Sequence, residues 1–98
     1  MLEDFTVTTF TDRLGETFHV RDGSEVIELS LIAASEPDER RPAPSGRMPF
    51  SIVFRGPLER VLPQRIYPFE HDALGVFELF IVPIGPDESG MQYEAVFG

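Results

Sequence analysis

Three side chains able to bind a metal or move a proton stand in a row at Glu70-His71-Asp72. Two carboxylates around an imidazole are the raw material of a metal centre or of a general acid–base pair. Their spacing works against both. Consecutive residues of a strand point to opposite faces, and metal sites set ligands two or more positions apart with a further set elsewhere in the chain. The only other histidine, His19, falls on the polar side of an alternating run, and there is no cysteine to complete a ligand set. The expectation is a turn with exposed charges and no metal or cofactor.

Other chemistries find as little. Ser24, Ser30, Ser35, Ser45, Ser51 and Ser89 are available as nucleophiles, but none lies in a G-x-S-x-G context. Glu28 and Glu78 could face each other on neighbouring strands, as paired-carboxylate chemistry requires, yet they read more simply as solvent-facing ladder residues. No G-x-G-x-x-G or G-x-x-x-x-G-K pattern occurs. The sequence therefore predicts no enzyme and no catalytic residue. A small hydrolase using Glu70, His71 and Asp72 is the residual catalytic alternative, and it needs those side chains to converge within hydrogen-bond reach.

The elements that would position these residues are strands. Thr17–Arg21 (TFHVR) alternates Phe18 and Val20 against polar neighbours and runs into Asp22-Gly23, a pair suited to a tight hairpin. The return run Glu25–Ala34 sets Ile27, Leu29, Leu31 and Ala33 on one face. Phe50–Arg55 points Phe50, Ile52 and Phe54 one way and is stopped by Gly56-Pro57. Gln64–Glu70 sets Arg65, Tyr67 and Phe69 together, with Pro68 restricting it to an edge or a bulge. His71–Gly75 reads as a reverse turn closed by glycine. Val76–Ile84 is apolar on both faces apart from Glu78, the pattern of a central strand. Gly85–Gly90 is a loop of turn-forming residues, and Met91–Phe97 alternates again. Near the N-terminus, Phe10–Leu14 could form one helical turn capped by Thr9 or Thr11 and ended by Gly15, against a β-branched run at Thr6–Thr9 that favours strand.

The fold class that follows is all-β: one domain spanning residues 1–98, an antiparallel meander of about six strands closed as a small barrel or folded as a two-layer sandwich, with at most one short helical turn near the N-terminus. At 98 residues and 42% apolar content there is a single core, and nine phenylalanines supply its bulk, each ring hiding on the order of 150–250 Å². Phe50 with Phe54, and Phe77 with Leu79, are therefore read as core. A small-molecule-binding barrel lined by Phe18, Phe54, Tyr67, Phe69 and Phe80 is the second functional alternative. Residues 35–49 (SEPDERRPAPSGRMP) form a long Pro- and charge-rich loop, functional or simply mobile. Its Pro42-Ala43-Pro44 lacks the spacing of a groove-docking motif.

Charge narrows the partners. A net −9 argues against nucleic acid and anionic membranes. The N-terminus has no basic leader region and the longest apolar run, Leu79–Ile84, is too short to span a bilayer, so a cytoplasmic location is expected. All six cations of residues 40–65 are arginines: Arg40, Arg41, Arg47, Arg55, Arg60 and Arg65, flanked by acidic thirds of the chain. Either they pair with those flanks, or they form a stripe for an acidic protein partner or a second copy of the chain.

Several stretches carry a likeness. FRGP (54–57), LPQRIY (62–67), HDALG (71–75), ELFIVPIG (78–85) and YEAVF (93–97), with RLGETFHV (13–20) upstream, resemble a family of uncharacterised bacterial domains of this length, often encoded beside phage-tail-collar-like proteins. Gly98 stands where that family often has Asn, and residues 35–49 lie outside the likeness. The resemblance implies a small β-domain with a structural or accessory role, a protein partner such as a tail-collar-like neighbour, and no catalytic residues.

Overall fold

The computed structural model describes residues 5–36 and 50–97. Six antiparallel strands close into a barrel: β1 (Thr17–Asp22), β2 (Glu25–Ser35), β3 (Phe50–Gly56), β4 (Arg65–His71), β5 (Gly75–Asp87) and β6 (Gly90–Phe97). Around the barrel the order is β1-β2-β3-β6-β5-β4. It is thus two three-stranded meanders, not one continuous meander. They are sewn together by the β3·β6 ladder on one side and a β1·β4 seam on the other. The reason is the chain between β3 and β4: Gly56-Pro57 ends β3, and the following residues return across the barrel mouth before β4 begins.

Alternation fills the interior. Phe18 and Val20, Ile27, Leu29 and Leu31, Phe50, Ile52 and Phe54, Tyr67 and Phe69, Phe77, Leu79 and Ile81, and Tyr93, Ala95 and Phe97 are all buried. The rings touch one another. Phe18 meets Phe54 edge-on at 5.2 Å between centroids, Phe54 meets Phe69 at 5.2 Å, and Phe50 stacks on Phe97 at 4.5 Å. Such pairs add about 0.5–1.5 kcal/mol each beyond the area they hide.

One barrel end is stoppered by α1 (Val7–Thr11). This helix starts earlier than the Phe10–Leu14 turn the sequence suggests. Thr6 is its N-cap: Thr9 Oγ1 accepts the Thr6 N–H at 3.0 Å, so the β-branched run serves the helix start and not a strand. The reward is Phe10, fully buried against Phe18, Phe50 and Phe97. Gly15 takes φ 89° and its N–H donates to Leu31 O at 2.8 Å, turning the chain into β1.

The other end is closed by residues 57–64. Leu62 is fully buried, its N–H donates to the Tyr93 hydroxyl at 2.7 Å, and the Tyr67 hydroxyl donates to Pro63 O at 2.6 Å. Desolvation in this corner holds the Tyr67 phenol above its ordinary pKa.

Three details depart from simple alternation. A bulge between Leu31 and Ala33 turns Ala33 outward and brings Ala34 against the core, so the inward set of β2 stops at Leu31. Pro68 sits on a strand with neighbours on both sides, and it is tolerated there because the β1·β4 ladder (His19↔Glu70, Val20↔Phe69) ends one residue short of it, so no partner on that side needs its missing N–H. The second apolar face of β5 is not buried: Phe77, Leu79 and Ile81 point in, whereas Val76 and Phe80 are exposed on the outer wall.

Candidate functional site

Glu70, His71 and Asp72 do not converge. They straddle the end of β4, and each goes its own way. Glu70 takes the Arg21 Nε–H at 2.9 Å, bracing the β1·β4 seam. The His71 side chain is 6% exposed and its ring lies 4.5 Å from that of Phe18. Its Nδ1 accepts the Ala73 and Leu74 N–H groups at 3.0 and 3.2 Å, so that nitrogen carries a lone pair and the proton resides on Nε2. Nε2 then donates to Glu16 Oε1 at 2.6 Å. Nδ1 thus holds the β4–β5 turn, where Gly75 at φ 80° completes the reversal, and Nε2 ties that turn to the residue before β1. Asp72 is exposed on the turn.

His19 lies on the neighbouring outer face, 3.4 Å from Glu28. Open grooves run past these residues, one lined by Glu16, Thr17, His19 and His71, another by His19, Val26, Glu28 and Pro57. Among the described residues no group of three His, Asp or Glu side chains is arranged to hold a metal ion. Glu28 and Glu78 lie on strands that are not neighbours in the barrel, so they do not face each other across a ladder.

The arginines divide. Arg55 on β3 donates through Nε to both oxygens of Asp87, at 3.2 and 2.9 Å, and through Nη2 as well, clamping β3 to the β5–β6 turn. This guanidinium holds the Asp87 carboxyl below its ordinary pKa, with help from the Ser89 and Gly90 N–H groups. Arg60 bonds Asp22 and, at 2.9 Å, Glu25, fastening the 57–64 connection to the β1–β2 hairpin. Arg65 is exposed and reaches over the Tyr67 ring, 6.0 Å from its centroid. Arg40, Arg41 and Arg47, with the rest of the Pro-rich stretch 37–49, lie outside the described residues.

The feature sequence reasoning missed is on the outer wall of β4, β5 and β6. Ile66 is 58% exposed, Phe80 47% and Val96 69%. Ile66 pairs directly with Phe80 on the β4·β5 ladder, and Val96 is exposed near the end of β6. Ile66 and Phe80 form an apolar cross-strand pair on the outer surface, with Val76 and Val96 also exposed on these strands. The adjoining surface, from the end of β4 across β1 to β2, carries the Arg21–Glu70 and His19–Glu28 pairs. The signal was the unbroken VFELFIVPI run, read as a strand buried on both sides. Phe80, counted among residues lining an internal ligand end, is in fact outside.

A small closed antiparallel barrel, plugged at both ends, charged on one wall and apolar on another, is the class this molecule belongs to. The family model described as "Domain of unknown function (DUF6916)" matches residues 5–97, and the chain belongs to that family. No curated protein and no solved structure matches it.

Proposed function

We propose that this domain is a non-catalytic structural or interaction module that binds a protein partner through the outer wall of β4, β5 and β6, as an accessory to a phage-tail-like assembly. The observation behind it is the exposed Ile66–Phe80 cross-strand pair, with Val76 and Val96 also exposed on the same three strands: large apolar side chains on a folded surface, in a chain whose core has already taken its other rings. A contiguous exposed apolar patch is the usual mark of a protein contact. The likeness of the 54–97 motifs to domains encoded beside tail-collar-like proteins supplies the kind of partner. Arg65, exposed at the start of β4 over the Tyr67 ring, offers a cation to an acidic group on that partner. Arg55 and Arg60 are engaged within the chain and contribute chiefly to its own stability.

The test is co-expression with the products of adjacent genes, followed by size-exclusion chromatography with light scattering. A stoichiometric complex is expected. Phe80→Glu and Ile66→Glu should weaken it at least tenfold without lowering the melting temperature, because both residues already face solvent. Absence of any complex, or full binding by both variants, overturns the reading.

A further inference from the structure

Among the described residues, the β5 strand has no ladder partner on one edge along part of its length. Along residues 75–81 it pairs with β4, from His71↔Gly75 to Arg65↔Ile81. On its other side the ladder with β6 runs only from Asp87↔Gly90 to Val82↔Glu94. Below that point the two strands part, and Phe5 and Phe10 stand between them. The rings of Phe77, Phe5, Phe10 and Phe97 follow one another at 5.3, 5.5 and 5.4 Å. Side chains hold the barrel together there, where backbone hydrogen bonds do elsewhere.

Pro68 tells which backbone groups are left over. It has no N–H to give, so its pairing with Glu78 belongs to the non-hydrogen-bonded positions of the β4·β5 ladder. The Glu78 N–H and C=O therefore point away from β4, and by the period of two so do those of Val76 and Phe80. The two-residue β5–β6 turn gives the same parity. It makes Asp87↔Gly90 a hydrogen-bonded pair, and counting back through the bulge at Ile84 turns the backbone of Val82, and hence of Phe80, towards the β6 side. Among the described residues no ladder or turn hydrogen bond takes up these groups, and the side chains of Val76, Glu78 and Phe80 are exposed.

Resting on the reading of this domain as a protein-binding module, we infer that the Val76–Phe80 edge of β5 accepts an extended segment of a partner protein as an added strand. An edge of this kind offers alternating donors and acceptors, which only another strand satisfies in full. The side chains beside it set the partner's pattern. Val76 and Phe80 flank Glu78, so the added strand presents an apolar, a basic and an apolar residue at alternate positions on its outer face. Opposite charges directly across a strand pair are favourable and like charges are not. An acidic strand is thereby rejected, which in a chain of net −9 also disfavours pairing through this chain's own acidic segments.

The probe is the capped peptide Thr-Val-Thr-Lys-Thr-Val-Thr, added at millimolar concentration to the full chain, with amide hydrogen exchange followed by NMR. In the free protein the Val76, Glu78 and Phe80 amides should exchange at least tenfold faster than those of Phe77 and Leu79, which bond to β4. The peptide should slow the three edge amides at least tenfold, its Glu-centred analogue should not, and Glu78→Lys should reverse that preference. Edge amides already slow in dilute protein, or unmoved by the peptide, overturn the inference. Protection that rises with protein concentration alone makes a second copy the occupant, and likewise overturns it. If the gene-neighbour complex forms but protects only amides outside this edge, the edge assignment falls while the interaction reading stands. If no complex forms yet the peptide fills the edge, the reverse holds.

Discussion

At the scale of single residues, polar side chains in this protein act mainly as fasteners. His71 does with Nδ1 what an asparagine oxygen does in many turns, and Tyr93 and Tyr67 pin the 57–64 connection through one hydroxyl each. Asp87 carries a pH signature in the acid range. Its carboxyl is held below the ordinary value of 3.8, first by the hydrogen bond from Arg55. A depressed folded-state pKa gives stability that is complete above the unfolded value and disappears as the pH falls through the folded one. The Asp87→Asn variant keeps an acceptor for the Ser89 and Gly90 amides but loses the charge. Its urea midpoint should lie below that of the wild type by a constant amount from pH 7 down to about 5. The gap should close progressively below the ordinary carboxylate value. A gap that does not change with pH would show that the Arg55–Asp87 charge pair adds nothing.

At the scale of elements, the strands are set by alternation and their ends by backbone approach. The start of β6 crosses the end of β3 so closely that a Cβ on Gly90 would overlap the Gly56 carbonyl oxygen, with the Arg55 side chain also in contact. The carbonyl belongs to the β3·β6 ladder, through Gly56↔Met91, and has little room to retreat. Gly90→Ala should therefore lose about 1–3 kcal/mol in chemical denaturation, the usual cost of overpacking. Gly56→Ala meets a different obstacle, the tip of the Leu29 side chain, which can change rotamer. It should cost less than Gly90→Ala, and the reverse order would show that the crossing is looser than drawn. The helix teaches a similar lesson. Threonines of low helical preference form α1 because the turn delivers Phe10 into the barrel mouth, and burial of that ring outweighs propensity.

At the scale of the whole molecule, stability depends on closure. β6 is paired on both sides, with β3 along its length and with β5 at its start, and it carries Tyr93, Ala95 and Phe97 into the core. Removing Tyr93–Gly98 takes away two large rings, the acceptor for the Leu62 N–H, and most of the β3·β6 ladder that joins the two meanders. Losing one such ring costs about 3–5 kcal/mol, and a small domain has only about 5–15 kcal/mol in total. The truncated chain should show no cooperative thermal transition by circular dichroism. A sigmoidal melt would mean that the five remaining strands close without it.

How much of this was legible in the sequence follows from the range of the forces involved. The β1–β2 hairpin, the inward sets of β3 and β6 and the turn at His71–Gly75 could be read directly, because side-chain period and turn chemistry are local. The separateness of Glu70, His71 and Asp72 was legible for the same reason. The particular partners of the arginines were not, since Arg60 meets Asp22 and Glu25, and Arg55 meets Asp87, across more than 30 positions of chain. Nor could the run at Val76–Ile84 show which of its two apolar faces would be covered. That depends on curvature: a sheet closed on itself has one inside, and Phe80, Val76 and Ile66 fall on the other surface. Sequence alone determined an all-β chain with a phenylalanine core. Tertiary structure alone decided that two meanders would be sewn into a barrel, which wall would stay apolar, and which strand edge would lack a neighbour among the described residues, because each of these is fixed by contacts between residues far apart in the chain.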